Sequence, residues 1–175
     1  MRPRIHITHE PLTAIHDVPQ RPPTERAGGL GKPLGLWYAV GWAWVEWCRS
    51  EMPEWAKGVR AYRLTLDRAR LLCLVTEYDV LAFGREYGCD PYHMGGRLGT
   101  MHIDWPRVAQ RYGGVEVAPY HWRLRYGTAD DDCMWYYGWD CASGCVWDAR
   151  VVQRFTEIPL TEEAECPATP NEESA

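Results

Sequence analysis

Gly31-Lys32-Pro33-Leu34-Gly35-Leu36-Trp37-Tyr38-Ala39 is a short apolar, aromatic run between glycines, and residues 40–49 change period at once. The run reads as a buried strand that delivers one ring into a pocket, since Trp37 and Tyr38 must point to opposite faces. Val40 and Gly41 end it. Trp44, Val45, Trp47 and Cys48 then fall at i, i+1, i+3 and i+4, which is one face of a helix over residues 42–51. Strand, turn and helix thus occupy under twenty residues.

On the N-terminal side, Arg4-Ile5-His6-Ile7-Thr8 places β-branched residues at alternate positions and predicts a first strand. Glu10-Pro11 ends it, because proline removes a ladder donor. Residues 19–33 hold Pro19, Pro22, Pro23, Gly28, Gly29, Gly31 and Pro33, too many breakers for a regular element. On the C-terminal side, residues 59–66 alternate as a strand and residues 70–75 form a second, with Asp67-Arg68 as the turn between them. Thr76 caps a helix from Glu77 to Tyr87, with Tyr78, Leu81 and Ala82 on one face and Gly88 as its stop. Residues 89–99 read as loop. Asp104 is an N-cap for a helix over residues 105–112, with Pro106 in the first turn, where a missing N–H is harmless. Residues 115–118, 145–147 and 151–158 complete the strands.

The 175 residues match the usual size of one domain. The formal charge of -5 is concentrated in residues 161–175, which carry Glu162, Glu163, Glu165, Glu172 and Glu173 and no basic residue. Without those five, 19 acidic residues face 19 basic ones, so the body carries no general electrostatic footprint for nucleic acid. The expected organisation is one domain over residues 1–160 and a disordered acidic tail over 161–175. Ten tryptophans and ten tyrosines against two phenylalanines suit a core with hydrogen-bonded rims and stacking platforms for flat ligands. Seven scattered cysteines fit a reduced, cytoplasmic protein rather than a disulfide scaffold. No apolar run approaches the roughly 18–20 residues that span a bilayer, so no membrane association is expected. His93, His102 and His121 with Asp104 lack the spacing of a metal site, and none is expected.

Glu116 draws attention because it stands mid-strand in Val115-Glu116-Val117, where a charge needs a cleft or solvent. Trp139-Asp140-Cys141-Ala142-Ser143-Gly144-Cys145 offers Asp140 and Ser143 at a site edge, or Cys141 as a nucleophile; a tight turn packed under tryptophans explains it more simply. The order Gly-Lys-X-X-Gly-Leu-Trp-Tyr-Ala followed by a helix resembles the Gly-Lys-Gly-Ile-Tyr-Phe-Ala strand and helix of the ADP-ribosyltransferase superfamily, where the aromatic packs on the nicotinamide of NAD. His6 and Thr8 are similar to the family's His-Gly-Ser/Thr on the first strand. Glu116 follows on a later strand, as the catalytic glutamate does. The resemblance covers roughly residues 4–118.

That resemblance implies a split, mostly antiparallel sheet with packed helices and NAD as substrate. In its terms Glu116 and His6 are catalytic, and His6, Thr8, Gly35, Trp37 and Tyr38 hold NAD. Ile7 in place of the glycine, Trp37 in place of tyrosine, and Gly114 in place of the upstream Glu or Gln depart from the pattern. The last disfavours arginine as acceptor. Glu116 would stabilise an oxocarbenium-like state as the glycosidic bond breaks. The expected activity is transfer of ADP-ribose to a protein or nucleic-acid acceptor, or NAD hydrolysis, by a monomer. The alternatives are a non-catalytic binding or inhibitory module of the same fold, and a nucleic-acid binder that stacks bases on tryptophan.

Overall fold

A computed structural model describes residues 2–25, 31–126 and 133–160. The expected acidic tail lies outside the described residues. Strand β1 (Arg4–Thr8) buries Ile5 and Ile7. Strand β2 (Leu36–Val40) runs antiparallel to it, with Arg4 opposite Val40 and Ile5 opposite Ala39. Opposed residues share a face. Trp37 and Ala39 therefore stand with Ile5 and Ile7, and Tyr38 stands with Arg4 and His6. Gly35, at φ 145°, feeds β2 where a Cβ would run into the Val146 carbonyl. Gly41, at φ 73°, then turns the chain into helix α1 (Ala43–Glu51), which buries Val45 and Cys48.

Strand β3 (Arg60–Leu66) pairs with the other edge of β1. The Asp67 side chain accepts from Ala69 N and closes a tight turn, yet β4 (Leu71–Leu74) leaves β3 and joins the far edge of the sheet. Helix α2 (Glu77–Tyr87) starts with a capping box between Thr76 and Asp79. Its buried face is Val80, Phe83 and Tyr87 rather than Tyr78, Leu81 and Ala82; Phe83 packs on Trp105 and Trp135, whereas Tyr78 is 72% exposed. Strands β5 (Gly88–Cys89) and β6 (His102–Ile103) form a separate two-stranded ladder. Helix α3 (Trp105–Ala109) is capped by Asp104 and is shorter than its sequence suggests, because Gly113 N bonds the Arg70 carbonyl at 2.8 Å and pulls the chain into β7 (Gly114–Val117). Helix α4 (Trp122–Tyr126), strand β8 (Ser143–Val146) and strand β9 (Val152–Ile158) complete the elements.

The architecture is α+β. Among the described residues, seven strands lie in one sheet in the order β4-β7-β8-β2-β1-β3-β9, antiparallel except for β4 with β7. The hydrogen-bonded ladder is continuous, so the split sheet that the resemblance implied is not what these strands form; above one face, though, the packing falls into two groups. On the face of Trp37, helices α2 and α3 cover Leu74, Val115 and Val117, while α1 covers Ile5, Ile7 and Ala61. The opposite face carries a third cluster around Tyr38, Tyr62, Leu64 and Val146.

Candidate functional site

Between the two clusters on the Trp37 face lies a cavity of about 330 Å³. Its aromatic walls are Trp37, Trp44, Trp55 and Trp139, and its polar groups are Lys32, Asp140 and Ser143. Period-two alternation in β2 puts the Trp37 ring here, edge-on to Trp139 with centroids 5.1 Å apart. Trp44 arrives from α1, stacked on Trp47 at 4.9 Å and edge-on to Trp55. Lys32 is positioned by its neighbours in the chain. The Gly31 carbonyl accepts from Trp105 Nε1 at 2.5 Å, and the Gln20 amide both donates to and accepts from the Leu34 backbone, as a strand would.

Lys32 Nζ stands 5.4 Å from the Trp37 ring centroid and 3.3 Å from Asp140 Oδ2. Arg125 approaches the other oxygen, Oδ1, at 3.2 Å. Asp140 is thus a partly buried carboxylate held between two cations, at the turn that leads into β8. Ser143 Oγ donates to the Cys141 carbonyl at 2.9 Å and shapes that turn. Burial, and then the Asp140 charge, push the Cys141 thiol up to about 12, which makes it a poor nucleophile.

The residues expected to hold NAD are only partly brought together. Trp37 lines the cavity, and the Gly35 backbone sets its strand. Tyr38 borders the cavity as well, but its hydroxyl lies 3.0 Å from Glu116 Oε2 and β2 alternation turns its ring to the other face, where it is buried. His6 shares that opposite face and reaches Trp37 only through the backbone, its Nδ1 lying 2.6 Å from the carbonyl. Burial holds His6 below its ordinary pKa against the raising effect of that hydrogen bond, so the ring is neutral at pH 7 and Nδ1–H donates. Thr8 accepts from Glu10 N in the exit turn of β1 and does not line the cavity.

Glu116 is the main correction. It pairs across the sheet with Gly144, which in turn opposes Tyr38, so all three share the face opposite Trp37. Its side chain is 3% exposed and accepts from Arg4 Nε at 2.9 Å, Arg4 Nη2 at 2.7 Å and Arg68 Nη1 at 2.7 Å. Burial pulls the carboxyl upward, and Arg4 and Arg68 together outweigh it and hold it below the usual range. Gly144 makes the arrangement possible, because a Cβ there would meet the Tyr38 ring. A carboxylate so enclosed has no access to a ligand on the Trp37 face.

No protein-family model, curated protein or solved structure matches this chain. Among the described residues no group of three or more His, Cys, Asp or Glu could hold a metal ion, and no helix is long and apolar enough to cross a membrane.

The sequence pointed to Trp37 through its strand and to Asp140 through the Trp-Asp-Cys turn. It did not point to Lys32, Arg125, Trp44 or Trp55. The signal available for Lys32 was its place between Gly31 and Pro33, just ahead of the ring that it covers.

Proposed function

We propose that the protein binds NAD with its nicotinamide riboside half in the Trp37 cavity and transfers ADP-ribose from it to an acceptor, or to water. The observation that carries this reading is the placing of Asp140 and Lys32 beside the Trp37 ring. A volume of about 330 Å³ is at the low end for ligand pockets and suits a nicotinamide with its ribose, leaving the adenosine outside. Indole walls match the flat ring, Lys32 matches the diphosphate, and the Asp140 carboxylate takes the role that the sequence suggested for Glu116.

In that role Asp140 faces positive charge as it develops on the ribose. The C–N bond to nicotinamide breaks with its electron pair going to the ring nitrogen, and the carboxylate stabilises the oxocarbenium-like state left behind. Lys32, drawn to the diphosphate, frees Oδ2 for that interaction. The resemblance of residues 31–39 to the ADP-ribosyltransferase strand supports NAD as the ligand of this cavity.

The test is nicotinamide release from labelled NAD. Asp140→Asn should lower turnover by roughly 100-fold or more while NAD still binds. Unchanged turnover removes Asp140 from the chemistry, and absence of NAD binding by the parent protein refutes the reading. The pairing of Asp140 with both Lys32 and Arg125 favours one second reading, a module that binds NAD without cleaving it; binding with no release under any acceptor would establish that.

A further inference from the structure

The sheet ends at β9 on one side, and among the described residues nothing pairs with the outer edge of that strand. Its seven residues offer a row of backbone donors and acceptors, which will add a further strand unless proline, lysine or a short length blunts the edge. The opposite edge, β4, is only four residues long. Strand β9 has neither proline nor lysine, and its one bulge, opposite Thr65 and Leu66, leaves residues 154–158 regular. We infer that this edge pairs antiparallel with β9 of a second copy of the chain, about a two-fold axis at Phe155.

Symmetry and side chains select that register. A two-fold axis normal to the sheet keeps every side chain on its own face, so one residue stands opposite itself and residues equally far on either side of it are paired. Centring on Arg154 would oppose like charges. Centring on Thr156 would set Phe155 against Glu157, and Gln153 against Pro159, which has no N–H to give. With Phe155 at the centre, Arg154 meets Thr156 of the second copy and Gln153 meets its Glu157. That carboxylate has room for the Gln153 amide, because Arg60 and the Tyr62 hydroxyl both use Oε2 and no described residue bonds Oε1.

Charge beyond the strand favours the same partner. Leu160 comes level with Arg150 of the second copy, since each lies equally far from Phe155. There Arg70, Arg111 and Arg150 line a polar cavity of about 340 Å³, with Asp148 as its carboxylate. Their segments are knit at the backbone: Gly113 N donates to the Arg70 carbonyl at 2.8 Å, and Asp148 N to the Gly113 carbonyl at 3.0 Å. Each arginine meets a carboxylate of its own, Asp67, Glu86 or Asp148, yet the three side chains are 46%, 61% and 72% exposed and keep N–H donors to spare. Past Leu160 the sequence carries Glu162, Glu163 and Glu165 and no basic residue. Within one copy β9 leads the chain about 20 Å away from this cavity. Across the two-fold axis the acidic stretch begins beside it.

Sedimentation equilibrium on the full chain, from about 1 to 200 µM, should show monomer and dimer exchanging with a Kd on the order of 10 µM, the scale of a small edge interface. Thr156→Lys sets a like charge against Arg154 of the second copy and should weaken the dimer about tenfold. Both side chains are exposed, so circular dichroism should not change. Thr156 also faces Arg63 of its own β3, so the double variant Arg154→Glu/Thr156→Lys is the control. It should restore the dimer, which a fault within one copy would not allow. Ending the chain at Thr161 should weaken the parent dimer about fivefold and flatten its salt dependence. A monomer at every concentration overturns the inference, in favour of the chain's own acidic tail as occupant if removing residues 162–175 lowers Tm. A dimer that Thr156→Lys leaves intact, that the double variant fails to rescue, or that truncation does not alter overturns it as well. NAD enters none of these measurements, so the assignment of the Trp37 cavity stands or falls separately.

Discussion

Replacing Glu116 by Gln separates a structural carboxylate from a catalytic one. The Glu116 carboxylate, 3% exposed, receives three charge-assisted hydrogen bonds from Arg4 and Arg68 and one from the Tyr38 hydroxyl. The Glu116→Gln side chain would keep the shape and one acceptor oxygen but turn an amide NH2 toward a guanidinium. Breaking a buried ion pair from one side costs about 3–5 kcal/mol, because the surviving charge is left in the interior. The survivors here are unequal. Arg4 is 9% exposed and cannot find water, whereas the Arg68 side chain is 41% exposed and can. The lower end, about 3 kcal/mol, is therefore expected.

For a chain of this size that lowers Tm by roughly 6–12 °C, readable by calorimetry at pH 7. The folded carboxyl lies below its ordinary value of 4.5, so its contribution is fully present above that pH and is lost as pH falls through the folded-state value. The Tm difference between parent and variant should accordingly narrow below pH 4.5. Nicotinamide release per folded molecule should hold near the parent level. A Tm shift under about 3 °C with turnover down roughly 100-fold would contradict the structural role and return Glu116 to the chemistry.

Trp37→Ala should weaken NAD binding by about 1 kcal/mol or more with modest loss of stability, and Tyr38→Ala should destabilise by about 3–5 kcal/mol. Quenching of intrinsic fluorescence by NAD, compared between the two variants with thermal melts, checks both; folded Tyr38→Ala that loses NAD while Trp37→Ala keeps it would reverse the faces. Cys141, with its thiol at about 12, should carry about one thiolate in ten thousand at about pH 8 and resist iodoacetamide. Peptide mapping after alkylation would show this, and modification of Cys141 as fast as a free thiol would contradict its burial.

The local signals were reliable where one stretch of chain settles the matter. Ile5 and Ile7 alternate with polar neighbours, Thr76 and Asp79 form a capping box, Asp104 caps α3, and strand β3 and helix α1 follow their periods. Trp37 and Tyr38 had to part because successive side chains on a strand oppose each other. Which of those faces Glu116 would join was not legible, since alternation fixes parity within a strand and nothing between strands.

That relation came from pairing. Strand β8 lies between β2 and β7, Gly144 stands opposite both Tyr38 and Glu116, and a slip of one residue would have put Glu116 beside Trp37. The same holds for the departure of β4 to the far edge of the sheet, and for Lys32 meeting Asp140 from 108 residues away. Most elements, their caps and the parting of Trp37 from Tyr38 were readable along the chain, because neighbouring residues and steric alternation dictate them. The choice of Asp140 over Glu116 as the carboxylate beside the tryptophan ring belongs to the assembled sheet, because strand register is set by hydrogen bonds between segments that no local pattern connects.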